Sequence, residues 1–203
     1  MVFRDETAAE VTFFEQAFDR FAAGHVRRVL EPGCGSGRLI AAMAARGYEM
    51  TGLDLSEPML NYLRRRLGRR GLQADLVRGD MTAMQFEQKF DSAFCTFNTF
   101  RHLTDEQNAI AHLRSVADNL RSGGLYILGF HLIPLDADPE CTERWTASHG
   151  GTTVNVTLKV IDFDRRRREE MLRVSVKAQK RSGKVERIRS EFPLRLYTPA
   201  QAK

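Results

Sequence analysis

The sequence predicts an α/β fold: a doubly wound, mostly parallel sheet with helices on both faces, followed by an antiparallel β-meander. Three observations predict it. Short continuous apolar runs alternate with segments of helical period as far as Phe130, the pattern of strands buried on both faces. Between the first such run and the helix after it, the stretch VLEPGCGSGRLI places Gly33, Gly35 and Gly37 on alternate positions. Beyond Phe130 the apolar period switches to two, as in strands with one buried face.

Each element has its own signal. Val11, Phe14, Phe18 and Phe21 keep helical spacing, with Asp5 or Thr7 as cap and Gly24 as stop. Arg28 to Leu30 reads as a buried strand, and Leu39 to Ala45 as a helix closed by Arg46-Gly47. Glu49 to Asp54 is the second strand. Ser56 then caps a helix with Pro58 in its first turn and Met59, Leu60, Leu63 and Leu67 as its stripe. Ala74 to Arg78 and Phe90 to Phe97 are the third and fourth strands. Thr104 and Gln107 form a capping box before a helix whose stripe is Ile110, Leu113, Val116 and Leu120. Arg121 to Gly124 stops it, and Leu125 to Phe130 is the fifth strand.

Pro134 to Gly151 reads as loop. Thr153 to Asp162, Glu170 to Gln179 and Val185 to Leu196 then alternate as a three-stranded meander with one buried face. Thr198-Pro199 opens a further helix. The organisation expected is therefore a core over 1–133, a meander over 134–197 and the start of a C-terminal element over 198–203.

A chain of 203 residues with 42% hydrophobic and 28% charged content is long enough for a sizeable core and ordinary for a soluble globular protein. No apolar run approaches the roughly 20 residues of a membrane span. The start, MVFRDETAAE, lacks the apolar stretch of a signal peptide. Cys34, Cys95 and Cys141 form neither a CxxC pair nor a zinc pattern, so no metal is expected and the cytoplasm fits best. The net charge of +5 gathers at Arg64, Arg65, Arg66, Arg69 and Arg70 and at Arg165 to Arg168. Those clusters read as solvated faces, with a phosphate-binding patch as the alternative.

Glycines at alternate positions between a strand and a helix let the backbone approach a ligand closely, and the helix start adds amide donors. Arg38-Leu39 after Gly37 excludes a P-loop, and G-x-G-x-G departs from the dinucleotide spacing. Glu31, just before the loop, would repel a pyrophosphate and attract a cation. A ligand with an ammonium group, a sulfonium centre and a ribose suits that field. Asp54, at the end of the second strand, can accept two hydrogen bonds from ribose hydroxyls.

In this order, EPGCGSG, GLDLS, RGDM, FDSAFCTFNTFRHL and LRSGGLYILGF resemble the class I S-adenosylmethionine-dependent methyltransferases. The resemblance spans roughly Phe13 to Phe130 and implies a Rossmann-like sheet with S-adenosyl-L-methionine across the carboxyl ends of its strands. It implies that Glu31 and the loop of Gly33, Cys34, Gly35 and Gly37 hold the methionine part. Asp54 would bind the ribose, with Leu55 and Met59 beside the adenosine. Asp80 would bond the adenine amino group and Met81 pack on its ring. Thr96, Phe97 and Asn98 would face the sulfonium and the acceptor.

Direct displacement from a sulfonium asks the protein to align the reactants and, where the acceptor needs it, to take a proton. His102, after the fourth strand, is the first candidate base. His131, after the fifth, is the second, and His149 the third. Phe13, Phe14, Phe97 and Phe100 are candidates for an apolar wall, with Phe14 reading rather as core. Thr96-Phe97-Asn98-Thr99 lacks the Asn/Asp-Pro-Pro-aromatic run of amino-type DNA and RNA methylators, and Phe94-Cys95 lacks the Pro-Cys of cytosine methylators.

The expectation is therefore a methyltransferase acting on a small-molecule N- or O-nucleophile. The meander, looser in its likeness to the insertion of small-molecule and amino-sugar methyltransferases, would be a substrate lid or a homodimer interface. The family normally continues with a helix and a strand hairpin, so the resemblance implies a C-terminus shortened at that helix. The alternatives are an S-adenosyl ligand-binding module without turnover, or an RNA- or protein-directed methyltransferase using the arginine clusters.

Overall fold

The computed structural model describes residues 4–133 and 141–201. They divide into two compact units, one of residues 5–100 and 106–130, the other of residues 4, 101–105, 131–133 and 141–201.

The first unit carries helix α1 (Arg4–Phe21), β1 (Arg28–Pro32), α2 (Arg38–Ala44), β2 (Glu49–Asp54), α3 (Glu57–Gly68), β3 (Asp75–Arg78), β4 (Phe90–Cys95), α4 (Glu106–Asn119) and β5 (Leu120–Leu128). Its five strands are parallel in the order β3-β2-β1-β4-β5. The strand order reverses between β1 and β4, and open α/β sheets bind their ligands outside the carboxyl ends of the strands at such a switch point. Adjacent residues of β1 feed opposite faces. Val29 joins a core with Phe14, Phe18, Ile40, Met43, Leu60 and Leu63; Leu30 joins one with Leu53, Met84, Phe90 and Val116. Phe14 stacks on Phe94, ring centroids 4.6 Å apart, which fixes α1 on the sheet as core.

Several boundaries differ from the sequence reading. Helix α1 is already helical at Arg4, so neither Asp5 nor Thr7 caps it. Strand β4 stops at Cys95, because Phe97 and Asn98 turn to φ 61° and 68°. Helix α4 starts at Glu106, two residues beyond Thr104. Arg121 to Gly124 lies within β5, as a bulge that sets Leu120 opposite Phe90 and Leu125 opposite Ser92. The inward face of α4 is also rotated. Ala109, His112, Ser115, Val116 and Asn119 are buried, while Ile110 and Leu113 are about 40% exposed. Polar side chains can occupy that face because each has a hydrogen-bond partner there.

The second unit is an antiparallel sheet, β6 (Thr142–His149), β7 (Thr152–Asp164), β8 (Glu169–Lys180) and β9 (Val185–Arg195), in sequential order. The expected loop before the meander is a fourth strand from Thr142, and His149 ends it opposite Thr152. TERWTASH carries no apolar alternation, so this strand depends on its ladder with β7. Residues 134–140 lie outside the described residues. Arg101 is buried and donates from Nη2 to Glu170 at 2.5 Å and from Nε to the Arg195 carbonyl at 2.7 Å. Val154, Val156, Leu158, Val174 and Val176 are only half-buried and Ile188 is 68% exposed, so the face expected to be buried is partly open. Thr198 to Gln201 closes as a turn. Among the described residues, no helix is long and apolar enough to cross a membrane.

Candidate functional site

The site is built where β1 and β2 end. Glu31 is the fourth residue of β1 and stands opposite Gly52 of β2. The chain then turns through Gly33, Cys34, Gly35, Ser36 and Gly37 into α2. Gly33 and Cys34 both donate to the Leu53 carbonyl, at 2.7 and 3.0 Å, which ties the loop to the end of β2. Gly37 needs to be glycine twice over. Its φ is 66°, and a Cβ there would collide with the buried side chain of Leu63. A Cβ on Gly33 would likewise meet the methyl of Thr99, so the loop lies directly against the turn after β4.

Asp54 ends β2, and its two oxygens are shared between the two flanking turns. Oδ2 accepts the Gly35 N–H at 2.7 Å, and Oδ1 accepts the Ser56 N–H at 2.8 Å. Each carboxylate oxygen keeps a lone pair beyond those bonds. Glu31 is 8% exposed, and its Oε2 has no hydrogen-bond partner among the described residues. Burial pushes its carboxyl up to about 8. Arg38 and the Ile40 N–H oppose that rise, and Glu10 and Asp54 add to it. Burial, then Glu31 and then Asp54 raise the Cys34 thiol, so the two acids share a neighbourhood around that sulfur and Cys34 is inert as a nucleophile.

Arg38 went unassigned in the sequence beyond its role in excluding a P-loop. It pairs with Glu10 of α1, donates to Thr7 Oγ1 at 2.9 Å and stands 5.7 Å from the ring centroid of Phe97. No motif spacing could have found Thr7 and Glu10, because they arrive from a helix that precedes the motifs. Phe97 is 61% exposed, and it and Asn98 hold consecutive left-handed conformations. Such strain in L residues clusters at ligand sites.

The other assigned residues lie at the same edge of the sheet. Leu55 and Met59 flank the start of α3 and are 67% and 47% exposed. Asp80 follows β3, is exposed, and accepts the Thr82 N–H at 2.8 Å through Oδ1. Met81 is partly buried against the Leu30 core. Thr96 follows β4, half-buried. His102 and His131 belong to the other unit. There His102 lies 5.2 Å from the Phe192 ring, and burial, then Arg101, lower its pKa and keep it neutral. Phe100 packs on Phe130 and His112 in the first unit, leaving Phe13 and Phe97 as the exposed members of the expected wall.

Two further features of this unit make contacts of their own. Arginines in and just after α3 bond to the chain itself: Arg64 to Glu57 and Asn61, Arg66 to the Ser36 carbonyl, Arg70 to the Ala41 carbonyl. A cleft of about 820 Å³ opens at the amino-terminal edge of the sheet, near Arg28, Glu49, Arg64 and Asp75. Its Arg64 is paired with Glu57, and its Arg28 lies 4.0 Å from Glu49 and donates to the Lys89 carbonyl. It offers balanced charge rather than reactive groups.

Comparison with known proteins bears on this site. Residues 29–124 match the family described as methyltransferase domain. The chain is 34% identical over 102 residues to a cypemycin N-terminal methyltransferase of a Streptomyces species, covering 50% of this chain and 41% of that one. Its fold matches the crystal structure of DesVI from Streptomyces venezuelae with a TM-score of 0.85 at 20% identity, over 98% of this chain and 80% of that one. It also matches S-adenosylmethionine-bound CalS10, an amino pentose methyltransferase from Micromonospora echinaspora involved in calicheamicin biosynthesis. The TM-score there is 0.77 at 21% identity, over 100% and 80% of the two chains. The matches cover 41%, 49% and 42% of the first curated relatives, so the chain spans less than half the length of each. At these identities the structural likenesses show the fold.

Proposed function

We propose that the chain, whose residues 29–124 match the methyltransferase-domain family, is a class I S-adenosylmethionine-dependent enzyme that moves a methyl group from S-adenosylmethionine to a small acceptor through an amine nitrogen. The observation that carries the reading is Glu31: a buried carboxylate with an unpartnered oxygen, beside a glycine loop and in one field with Asp54. A cation satisfies that oxygen, whereas a diphosphate would add repulsion.

The residues fit the group. S-adenosylmethionine supplies a methyl already activated on a sulfonium. Glu31 would take the ammonium, and the bare backbone of Gly33 to Gly37 would admit the methionine part. Asp54 would offer its remaining lone pairs to the ribose hydroxyls, with Leu55 and Met59 beside the adenosine. Asp80 and Met81 would hold the adenine. Thr96, Phe97 and Asn98 would face the reacting centre and keep water from it.

An amine must be neutral to attack, so a base near neutral pKa is needed. His102 is our first choice and His131 our second, on their positions after the fourth and fifth strands. The choice of an amine follows two named relatives, one called an N-terminal methyltransferase and the other an amino pentose methyltransferase. We also propose self-association into a homodimer through the meander, supported by its partly open apolar face.

The test is calorimetry with S-adenosylhomocysteine, followed by product assay with a panel of amino sugars and other small amines. Micromolar binding and acceptor-dependent S-adenosylhomocysteine formation are expected. Replacing His102 by Ala should lower kcat at least tenfold with cofactor affinity unchanged, and an equal loss in both removes it from the role of base. Binding without product from any acceptor would make the chain a ligand-binding module. No binding would overturn the reading.

A further inference from the structure

The segment between β3 and β4 has no ladder, and α4 holds it with side chains. Ser115 Oγ accepts the Met84 N–H at 2.7 Å. Asn119 uses both ends of its amide: Oδ1 accepts the Phe86 N–H at 3.1 Å and Nδ2 donates to the Met84 carbonyl at 3.0 Å. His112 reaches the start of the segment, its Nδ1 lying 3.0 Å from the Met81 carbonyl oxygen. These three residues share one helix face by their spacing.

His112 is also the end of a directed chain. A carbonyl only accepts, so Nδ1 carries the proton and Nε2 accepts the Tyr126 hydroxyl at 2.7 Å. Burial lowers the His112 pKa, which keeps the imidazole neutral and the direction fixed. The relay therefore runs from the Tyr126 hydroxyl of β5 through His112 to the carbonyl of Met81. Asp80 Oδ1, next to that carbonyl, is taken by the Thr82 N–H and hydroxyl at 2.8 and 2.9 Å, which leaves Oδ2 for a ligand.

We propose that His112 is a positioning residue for nucleobase recognition: by holding the Met81 carbonyl it fixes the Asp80-Met81 turn, and so sets a preference for a 6-amino over a 6-oxo purine in the S-adenosyl ligand. The proposal rests on the reading above of Asp80 and Met81 as the adenine end of the site. A fixed Asp80 carboxylate accepts a hydrogen bond from an exocyclic amine and repels an exocyclic oxygen. A loosened turn does neither well.

The experiment compares S-adenosylhomocysteine with S-inosylhomocysteine by calorimetry on the full chain. The unaltered protein should favour the adenosyl ligand by about tenfold, the worth of one hydrogen bond to a charged group at an exposed site. His112→Phe should narrow that ratio to about twofold. His112→Gln, whose amide can donate to Met81 and accept from Tyr126, should keep most of it. A His112→Phe protein that weakens both ligands alike, with the ratio intact, would make His112 merely structural and overturn the proposal. Should that variant not fold, the imidazole nitrogen resonances of the unaltered protein decide. They should report the Nδ1–H tautomer and move with the adenosyl ligand more than with the inosyl one; equal movement overturns the proposal. If neither ligand binds the unaltered protein, the reading of the site itself has failed. Binding with an insensitive ratio fails the His112 proposal alone.

Discussion

Asp54 holds Gly35: the carboxylate at the end of β2 accepts the loop's N–H at 2.7 Å, and its other oxygen accepts the Ser56 N–H at 2.8 Å. One side chain thus fixes both the glycine turn and the start of α3 before any ligand arrives. Asp54→Ala should abolish S-adenosylhomocysteine binding in calorimetry and also lower stability by about 2 kcal/mol in denaturant melts, because two charge-assisted bonds are lost. Asp54→Asn, which keeps one acceptor, should recover about half of the stability and little of the binding.

Glu31 makes the protein sensitive to pH in a definite direction. Its carboxyl stands at about 8 in the fold against 4.5 as the ordinary value. Between those values the native state keeps a proton that the unfolded chain releases. The stabilising contribution is therefore complete below 4.5 and declines as pH rises toward 8. The free protein should lose stability over that window. Cofactor affinity should strengthen over it, since a cation prefers the ionised acid. Glu31→Gln should flatten both trends, raise stability at pH 9 by roughly 3 kcal/mol and weaken cofactor binding at least tenfold.

Gly35 and Gly37 should respond differently to alanine. Both have positive φ, 52° and 66°, but a Cβ on Gly35 meets nothing within 4 Å while one on Gly37 strikes buried Leu63. Gly35→Ala should cost about 1 kcal/mol of backbone strain; Gly37→Ala should cost about 3 kcal/mol or more by adding overpacking. Denaturant midpoints separate the two, and similar losses would mean that Leu63 moves aside freely.

The second unit hinges on Arg101 and Glu170, a buried pair at 2.5 Å. Arg101→Met alone should destabilise by about 3–5 kcal/mol, since it strands a buried carboxylate. Adding Glu170→Leu should restore most of the loss. A double variant no better than the single one would assign the cost to the Nε bond with the Arg195 carbonyl instead.

What could be read in advance followed period and motif. The parallel strands and the glycine loop were legible because short apolar runs and sparse glycines mark them locally, and the places of Glu31 and Asp54 at the ends of β1 and β2 followed from those strands. The face of α4 was not. Ile110 and Leu113 make a better stripe on paper than His112, Ser115 and Asn119, yet the polar set is buried because it binds the backbone of residues 81–86. Nor was β6 legible: TERWTASH is held by pairing with β7, a long-range cause that its own composition does not show. Arg38 needed α1 folded over it before Glu10 and Thr7 became its partners.

Phe97 and Asn98, wound consecutively in the mirror hand of the ordinary backbone, behave as a cocked spring just past the end of β4. On the proposed placement of Asn98 beside the acceptor, Asn98→Gly should relieve it and yield a sturdier chain with a looser grip on that acceptor. Robustness and discrimination are then set against each other at a single peptide.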